Sequence, residues 1–151
     1  MPLLKPALEK KIMLDLPTDE DPEQAAYVTV RQATQREVER RDALNAEQSS
    51  ILRKDSTEVE VKRRFSYQEQ RRLEVFLTLL DCNIEIPDPT VSDPDRVKSL
   101  FTFKKSEGKM RIDMNEKEFD DAWGVLPENW ATAIHDAVLE VNVQWDARFR
   151  R

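Results

Sequence analysis

The sequence predicts an α+β fold that is mainly helical, with a small antiparallel sheet packed on a central helix and on a C-terminal amphipathic helix. Two segments near the N-terminus alternate apolar and polar residues, as strands with one buried face do. Two later segments repeat apolar residues at the helical period. The 151 residues suit one domain. We therefore assign residues 1–10 to an extended arm and residues 11–151 to a single α+β domain.

The arm and the predicted sheet occupy the first part of the chain. Residues 1–10 contain two prolines, which cannot donate a backbone hydrogen bond, so we expect an extended conformation. Residues 11–16 and 26–31 alternate, and the second segment is rich in β-formers; the two are predicted to pair as a hairpin across a long acidic loop. Alternation in residues 58–62 predicts one further short strand.

Two helices of different character are predicted on either side of that short strand. Thr34 and Glu37 form a capping-box pattern at the start of the first, which extends to about residue 50. Glu37 and Arg41 are spaced for an ion pair on its surface. Its apolar stripe is thin, so we expect it to rest on the surface. Residues 67–82 are apolar on nearly every side, which predicts the core helix.

Short elements follow the core helix. The stretch 83–95 holds three prolines between acidic residues and is expected to be a loop. Residues 97–103 are apolar and fit either a short helix or a strand. Residues 106–109 are typical of a turn, and residues 110–113 fit a brief strand after it.

Two helices are predicted to end the chain. Asn115 and Glu118 repeat the capping-box pattern at the start of the first. Pro127 suits the first position of the second helix, where a missing N–H costs nothing. The second helix has the most regular apolar stripe of the chain, formed by Trp130, Ile134, Ala137, Val138, Val141 and Trp145.

The composition argues against most enzyme and cofactor chemistry. Only Gly108 and Gly124 are present, whereas a phosphate-binding loop needs several glycines together. Cys82 and His135 are the only cysteine and histidine, too few for a zinc site or a catalytic triad. We expect Cys82 to act as a small buried hydrophobe and His135 to lie at the surface or flank of its helix. A carboxylate pair for acid–base chemistry stays open, but no pair is singled out. We expect no enzyme, no cofactor and no metal.

Charge and hydropathy predict the cellular compartment of the protein and whether it binds nucleic acid or membrane. The net charge is −6, and the basic stretches 36–41 and 62–72 are interleaved with glutamates, which predicts solvated faces rather than a nucleic-acid surface. No apolar run is long enough to span a membrane or to form a signal core. A single cysteine suits a reducing compartment. We therefore expect a cytoplasmic protein that binds neither nucleic acid nor membrane.

Residues 119–145 resemble the C-terminal part of tail assembly chaperones from long-tailed bacteriophages. The pattern is a short helix with aromatic and leucine residues, a Leu-Pro helix start, and an amphipathic helix that ends in Val-Asn near a tryptophan. The residues that carry this pattern here are Phe119, Trp123, Leu126, Pro127, Ile134, Val138, Val141, Asn142 and Trp145.

The resemblance implies a non-enzymatic chaperone or adaptor in the bacterial host cytoplasm. Such a protein would bind the tape-measure protein and recruit tail-tube subunits. A structural virion component of the phage neck or tail is the alternative, and homo-oligomerisation is left open.

Six residues are candidates for partner binding. Leucines on an extended arm either dock on the domain or meet a partner, and tryptophan is enriched at interface hot spots. A thin apolar stripe on a surface helix offers a third place for contact. The candidates are Leu3, Leu4 and Leu8 on the arm, Val38 and Leu44 on the first helix, and Trp145 at the end of the last helix.

Overall fold

The computed structural model describes residues 8–14, 25–52, 59–88, 90–93, 95–106 and 109–146. In this part of the chain the predicted α+β fold is confirmed, with four helices and three small antiparallel sheets. The helices are α1 (Gln35–Leu52), α2 (Val59–Thr78), α3 (Glu116–Gly124) and α4 (Glu128–Val141), and a 3₁₀ turn at Val143–Trp145 follows α4. None of the described helices has the length and apolar character needed to cross a membrane.

The largest sheet confirms the predicted N-terminal hairpin. Strand β1 (Glu9–Met13) pairs antiparallel with β2 (Tyr27–Arg31), and Ile12 lies opposite Val28. Val28 and Val30 are fully buried, so the alternating pattern did identify the inner face of β2. The hairpin begins earlier than predicted, because residues 9 and 10 belong to β1 rather than to the arm.

The third strand of this sheet was predicted in the wrong place. Residues 59–62 belong to α2, and β3 (Leu79–Cys82), predicted as the end of the core helix, pairs with β2 instead. Glutamate and lysine are good helix formers, so alternation over so few residues does not establish a strand. Thr78 ends the helix, where its hydroxyl donates to the carbonyl of Glu74 at 2.7 Å. Asn83 then holds β3 beside β2, accepting from the backbone N–H of Tyr27 at 2.7 Å.

The proline-containing stretch 83–95 is only partly a loop. It includes strand β4 (Glu85–Pro87), which pairs with β5 (Val97–Ser99). Pro87 ends its strand, a position where a residue without a backbone donor is tolerated. Residues 97–103 were predicted to be either a short helix or a strand, and residues 97–99 form a strand. Strands β6 (Phe103–Ser106) and β7 (Lys109–Ile112) form a hairpin, which confirms the brief strand predicted near residues 110–113.

Both capping boxes are confirmed. The backbone N–H of Thr34 donates to Glu37 Oε1 at 2.8 Å, and the N–H of Glu37 donates to Thr34 Oγ1 at 3.3 Å. Asn115 and Glu118 form the same reciprocal pair at the start of α3. The predicted pair between Glu37 and Arg41 is wrong, because Arg31 on β2 donates to both Glu37 oxygens, at 2.7 and 2.8 Å. This bidentate geometry is stronger than a single contact on a helix surface.

The hydrophobic core lies between the first sheet and helices α2, α3 and α4. Helix α4 contributes Ile134, Ala137 and Val138, all buried, as its apolar stripe predicted. Phe119 of α3 is fully buried at the centre of an aromatic group. Its ring centroid lies 5.2 Å from that of Phe76, 5.3 Å from Phe101 and 6.0 Å from Trp123. Pro127 is the N-cap of α4, one residue before the predicted helical position.

Asn142 joins the end of α4 to the segment between β2 and α1. The residue is fully buried. Its Oδ1 accepts from the backbone N–H of Ala33 at 2.8 Å, and its Nδ2 donates to the carbonyls of Arg31 at 3.2 Å and Val138 at 3.0 Å. One side chain therefore satisfies polar groups of two separate segments.

We expect Asn142→Ala to lower the free energy of unfolding by about 2–3 kcal/mol, because it removes three hydrogen bonds of a fully buried amide, including the one to the backbone N–H of Ala33. Urea denaturation followed by circular dichroism measures the change. Asn129→Ala, at an exposed position of the same helix, is the matched control and should change stability by no more than about 0.5 kcal/mol. Equal losses in the two variants would contradict the role given to the Asn142 amide.

Candidate functional site

A groove of about 460 Å³ lies between α1, α2 and α3. Part of its lining is apolar, formed by Ala43, Leu44, Leu73 and Phe76, and the rest is charged, formed by Arg40, Glu69, Arg72, Glu116 and Asp120. Leu44, Leu73 and Phe76 are half-buried. Apolar side chains that stay partly open to solvent beside charged groups are typical of a binding surface.

The helical period explains why these residues meet. Each helix contributes residues three, four or seven positions apart, which share one face. On α1 these are Arg40, Ala43 and Leu44; on α2, Glu69, Arg72, Leu73 and Phe76; on α3, Glu116 and Asp120. Each face is thus determined by local spacing, whereas the groove depends on how the three helices pack.

Two ion pairs connect α3 to the other walls of the groove. Arg40 of α1 pairs with Glu116, and Arg72 Nε of α2 lies 2.6 Å from Asp120 Oδ1. The Arg40 guanidinium carbon also lies 5.8 Å from the centroid of the Phe76 ring. All four side chains keep substantial solvent exposure, so each pair contributes little stability, about 0–1 kcal/mol.

Partial burial has the largest effect on the pKa of the Asp120 carboxyl. Burial raises the pKa of its carboxyl, the Arg72 guanidinium lowers it, and the carboxylates of Asp121 and Glu69 raise it. The net effect is a raised pKa even though Asp120 has an arginine partner.

A buried ionic cluster lies behind the groove and connects α1, α2 and α4. Glu74 is 2% exposed and Arg41 is 1% exposed, with Arg41 Nε 3.5 Å from Glu74 Oε2. His135 Nε2 lies 3.0 Å from the other Glu74 oxygen. The ring of Tyr67 stands edge-on to His135, with centroids 6.2 Å apart. Glu74 therefore joins a cation of α1 to an imidazole of α4.

This cluster corrects two predictions. His135, predicted at the surface or flank of its helix, is 4% exposed. It lies four residues after Ala131 and three before Val138, both buried, so it belongs to the apolar stripe. The basic stretches are not entirely solvated either, because Arg41 and Arg71 are buried. The sequence analysis missed Glu74, and the signal that could have found it is a carboxylate between Leu73 and Val75 in an otherwise apolar helix.

Arg71 forms a second buried contact next to the first. Its Nη1 lies 3.1 Å from Glu128 Oε1 at the start of α4, and its guanidinium carbon lies 5.7 Å from the Trp123 ring centroid. The Glu128 side chain is largely exposed. Arg71 therefore links α2, the helix that also carries Arg72 of the groove, to both C-terminal helices.

The candidate residues of the sequence analysis fall in different places. Leu44 lines the groove. Val38 is half-buried against the core, and Leu8, 63% exposed, precedes β1 and is not part of the groove lining. Leu3 and Leu4 lie outside the described residues.

Trp145, the remaining candidate, is a core residue. It is 3% exposed and packs in the main hydrophobic cluster, with the Arg41 guanidinium carbon 6.0 Å from its ring centroid. Its side chain is therefore not available as a docking surface in this structure. Position at a helix end did not reveal this, because the turn at Val143–Trp145 folds the indole back onto the core.

The groups with reactive chemistry are few. Burial raises the pKa of the Cys82 thiol to about 11, so the thiol stays protonated at neutral pH and the side chain behaves as a small hydrophobe. In the part of the chain that the structure describes, no three His, Cys, Asp or Glu side chains are grouped to hold a metal ion.

Comparison with known proteins identifies no relative whose function could be transferred to this chain. No family model matches the chain, and no curated protein or solved structure matches it. The residues that carry the resemblance to tail assembly chaperones are largely structural here, since Phe119, Ile134, Val138, Asn142 and Trp145 are all buried. The groove is a surface of the described residues from which a function can be proposed.

Proposed function

We propose that this chain is a non-enzymatic protein-binding module of bacteriophage tail assembly. It acts as a chaperone or adaptor for the tape-measure or tail-tube proteins, in the cytoplasm of the bacterial host. The observation that carries the proposal is the groove between α1, α2 and α3, where half-buried apolar side chains lie beside exposed ion pairs. The resemblance of residues 119–145 to tail assembly chaperones supplies the class of partner.

A helix of the partner is the occupant that suits this groove. Grooves between helices recognise amphipathic helices through apolar residues that recur along one face. Leu44, Leu73 and Phe76 offer apolar contact from two neighbouring helices. Burying one leucine-sized side chain contributes about 1.5–3 kcal/mol, so a few such contacts give useful affinity after the cost of association.

The charged residues of the groove suit a transient partner. Arg40, Glu116, Arg72 and Asp120 surround the apolar lining and stay partly hydrated. A polar rim of this kind keeps an empty groove from aggregating while adding little to affinity. This is what a chaperone needs, because it must release its partner when the tail is built.

Co-expression with the tape-measure protein of the same phage tests the proposal. The wild-type chain should raise the soluble yield of that protein and co-purify with it. We expect Leu44→Glu to weaken the complex at least about tenfold, because a charge replaces an apolar contact. Val125→Glu is the matched control, since Val125 is exposed outside the groove and its change should leave binding intact.

Three results would count against the proposal. The first is a soluble yield of tape-measure protein that does not change on co-expression. The second is equal loss of binding in Leu44→Glu and Val125→Glu. The third is the chain itself in purified phage particles, detected by mass spectrometry, which would identify a permanent virion component instead of a chaperone.

A further inference from the structure

We infer that two copies of this chain pair through the open edge of β1, antiparallel about a two-fold axis at Lys10, and so join their three-stranded sheets into one. In this register Glu9 of each copy lies opposite Lys11 of the other. The inference concerns a surface other than the groove and goes beyond the proposed function.

Strand β1 presents backbone groups along its open edge. The strand order of its sheet is β1-β2-β3, and no other strand of the described residues pairs with β1. The Leu8 carbonyl and the Leu14 N–H form hydrogen bonds with residues that flank β2, at 2.7 and 2.9 Å. Antiparallel ladders alternate, so the even-numbered positions between them face β2. The backbone groups of Glu9, Lys11 and Met13 therefore point to the open edge.

The charges of β1 select one register for pairing across this edge. Residues whose backbone groups point outward must meet one another there. Pairing about Lys10 sets Glu9 opposite Lys11 on both sides of the axis, and each of these pairs exchanges both backbone hydrogen bonds. Pairing about Glu9 or about Lys11 sets like charges opposite each other, which is destabilising. Pairing about Ile12 forms no ion pair.

The two lysines of β1 are compatible with this pairing, although lysine on an edge strand usually opposes it. Lys10 forms an ion pair with Glu140 of α4, so the two Lys10 side chains that meet at the axis bring their own counter-ions. Lys11 is exposed on the outer face of the sheet, with its Nζ 4.1 Å from the centroid of the Tyr27 ring. Glu9 of the second copy would arrive on that same face.

Leu8 adds an apolar contact to the pairing. Its side chain is 63% exposed and lies on the same face of the strand as the half-buried Ile12. In the register about Lys10, Leu8 lies opposite Ile12 of the second copy, in the closer of the two kinds of antiparallel pair. The contact removes from water an apolar side chain that a single copy leaves exposed, once on each side of the axis.

A second copy suits this edge because residues 8–12 are complementary to themselves. They read Leu-Glu-Lys-Lys-Ile, and reversing the stretch sets apolar opposite apolar and acid opposite base. A two-fold interface requires this match of a surface with itself. The net charge of −6 on each copy opposes the approach, but it is screened over about 8 Å at physiological ionic strength, and the edge itself carries two lysines and one glutamate.

Sedimentation equilibrium of the full chain tests the inference through a charge swap. The interface is small, so we expect a dimer that dissociates between about 1 µM and about 1 mM. Lys11→Glu and Glu9→Lys should each raise the dissociation constant at least about tenfold, because each sets like charges opposite at two places. The double variant, with both changes, restores opposite charges and should return the dissociation constant to within about threefold of the wild-type value.

Matched controls separate the edge from the rest of the molecule. Lys98→Glu makes the same change in net charge as Lys11→Glu at an exposed position of another sheet, and should alter the dissociation constant by less than about threefold. Leu8→Ser should raise it at least about fivefold without any change in charge. Val125→Ser, at an equally exposed apolar residue, should leave it unchanged. Thermal melts check that each variant is folded.

Several results would overturn the inference. A chain that stays monomeric up to about 1 mM has no such interface. A dimer that the charge variants leave intact uses another surface, and one that Leu44→Glu alone dissociates uses the groove. If a single charge variant does not fold, a dimer that Leu8→Ser leaves intact refutes the pairing in its place. Binding of the tape-measure protein at the groove is measured separately by co-expression, so the two proposals can fail independently.

Discussion

Glu74→Ala is expected to lower the free energy of unfolding by about 3–5 kcal/mol, because it removes one partner of a buried ion pair. The Glu74 carboxylate lies between Arg41 Nε, at 3.5 Å, and His135 Nε2, at 3.0 Å. Without it, a fully buried guanidinium loses its anion and a buried imidazole loses its hydrogen-bond partner. Asp42 lies 3.4 Å from Arg41 Nη1 but is largely exposed, so solvent screens this replacement anion.

Urea denaturation of Glu74→Ala beside two comparison variants measures this effect. Glu39→Ala removes an exposed glutamate of α1 and should change stability by no more than about 0.5 kcal/mol. The triple replacement Arg41→Met, Glu74→Leu and His135→Leu removes every charge of the cluster at similar volume, and should recover most of the loss. A loss in Glu74→Ala below about 1 kcal/mol, the range of surface pairs, would show that the cluster does not hold the helices together.

Phe119→Ala is the second substitution with a large expected effect, a loss of about 3–5 kcal/mol. The fully buried ring contacts Phe76 of α2, Phe101 of the segment before β6, and Trp123 of its own helix. Truncation to alanine leaves a cavity between elements that the chain cannot close without moving α3. Aromatic pairs of this kind contribute about 0.5–1.5 kcal/mol beyond the area they bury.

The same substitution should also lower the affinity for a partner bound in the groove, because α3 carries Glu116 and Asp120 on the face adjacent to Phe119. Tryptophan fluorescence and urea denaturation measure the stability, and co-purification with the tape-measure protein measures binding. Phe119→Leu keeps most of the volume and should cost less than half as much stability. If Phe119→Ala and Phe119→Leu lose equal stability, cavity formation is not the cause and the aromatic contacts alone must be held responsible.

Several elements could be predicted from the sequence because their causes are local. The capping boxes at Thr34 and Asn115 need only a residue three positions away. The β1–β2 hairpin follows from alternation, and the stripe of α4 follows from the helical period. In each case the deciding residues lie within a few positions of one another, so the pattern and the structure coincide.

The predictions that were wrong concern residues whose structure depends on partners far away in the chain. Residues 79–82 continue an apolar helical pattern, yet they form β3 because β2 offers a partner far away in the chain. Residues 59–62 alternate, yet they are helical as part of α2. The burial of the His135 and Trp145 side chains depends on which elements pack against them, and no local sequence pattern contains that information. Of the four partner-binding candidates that the structure describes, Leu44 is the one that lines the groove, beside residues of its own helix and of two others.

The sequence by itself determined the helical faces: Arg40 with Leu44, Leu73 with Phe76, and Glu116 with Asp120 are each spaced for one side of a helix. It also determined that a carboxylate, Glu74, lies within an apolar helix. Only the tertiary structure decided that Glu74 meets His135, 61 residues away, and that three helical faces enclose one groove. The reason is that burial and pairing free energies depend on groups brought together by folding, whereas periodicity and capping depend on neighbours along the chain.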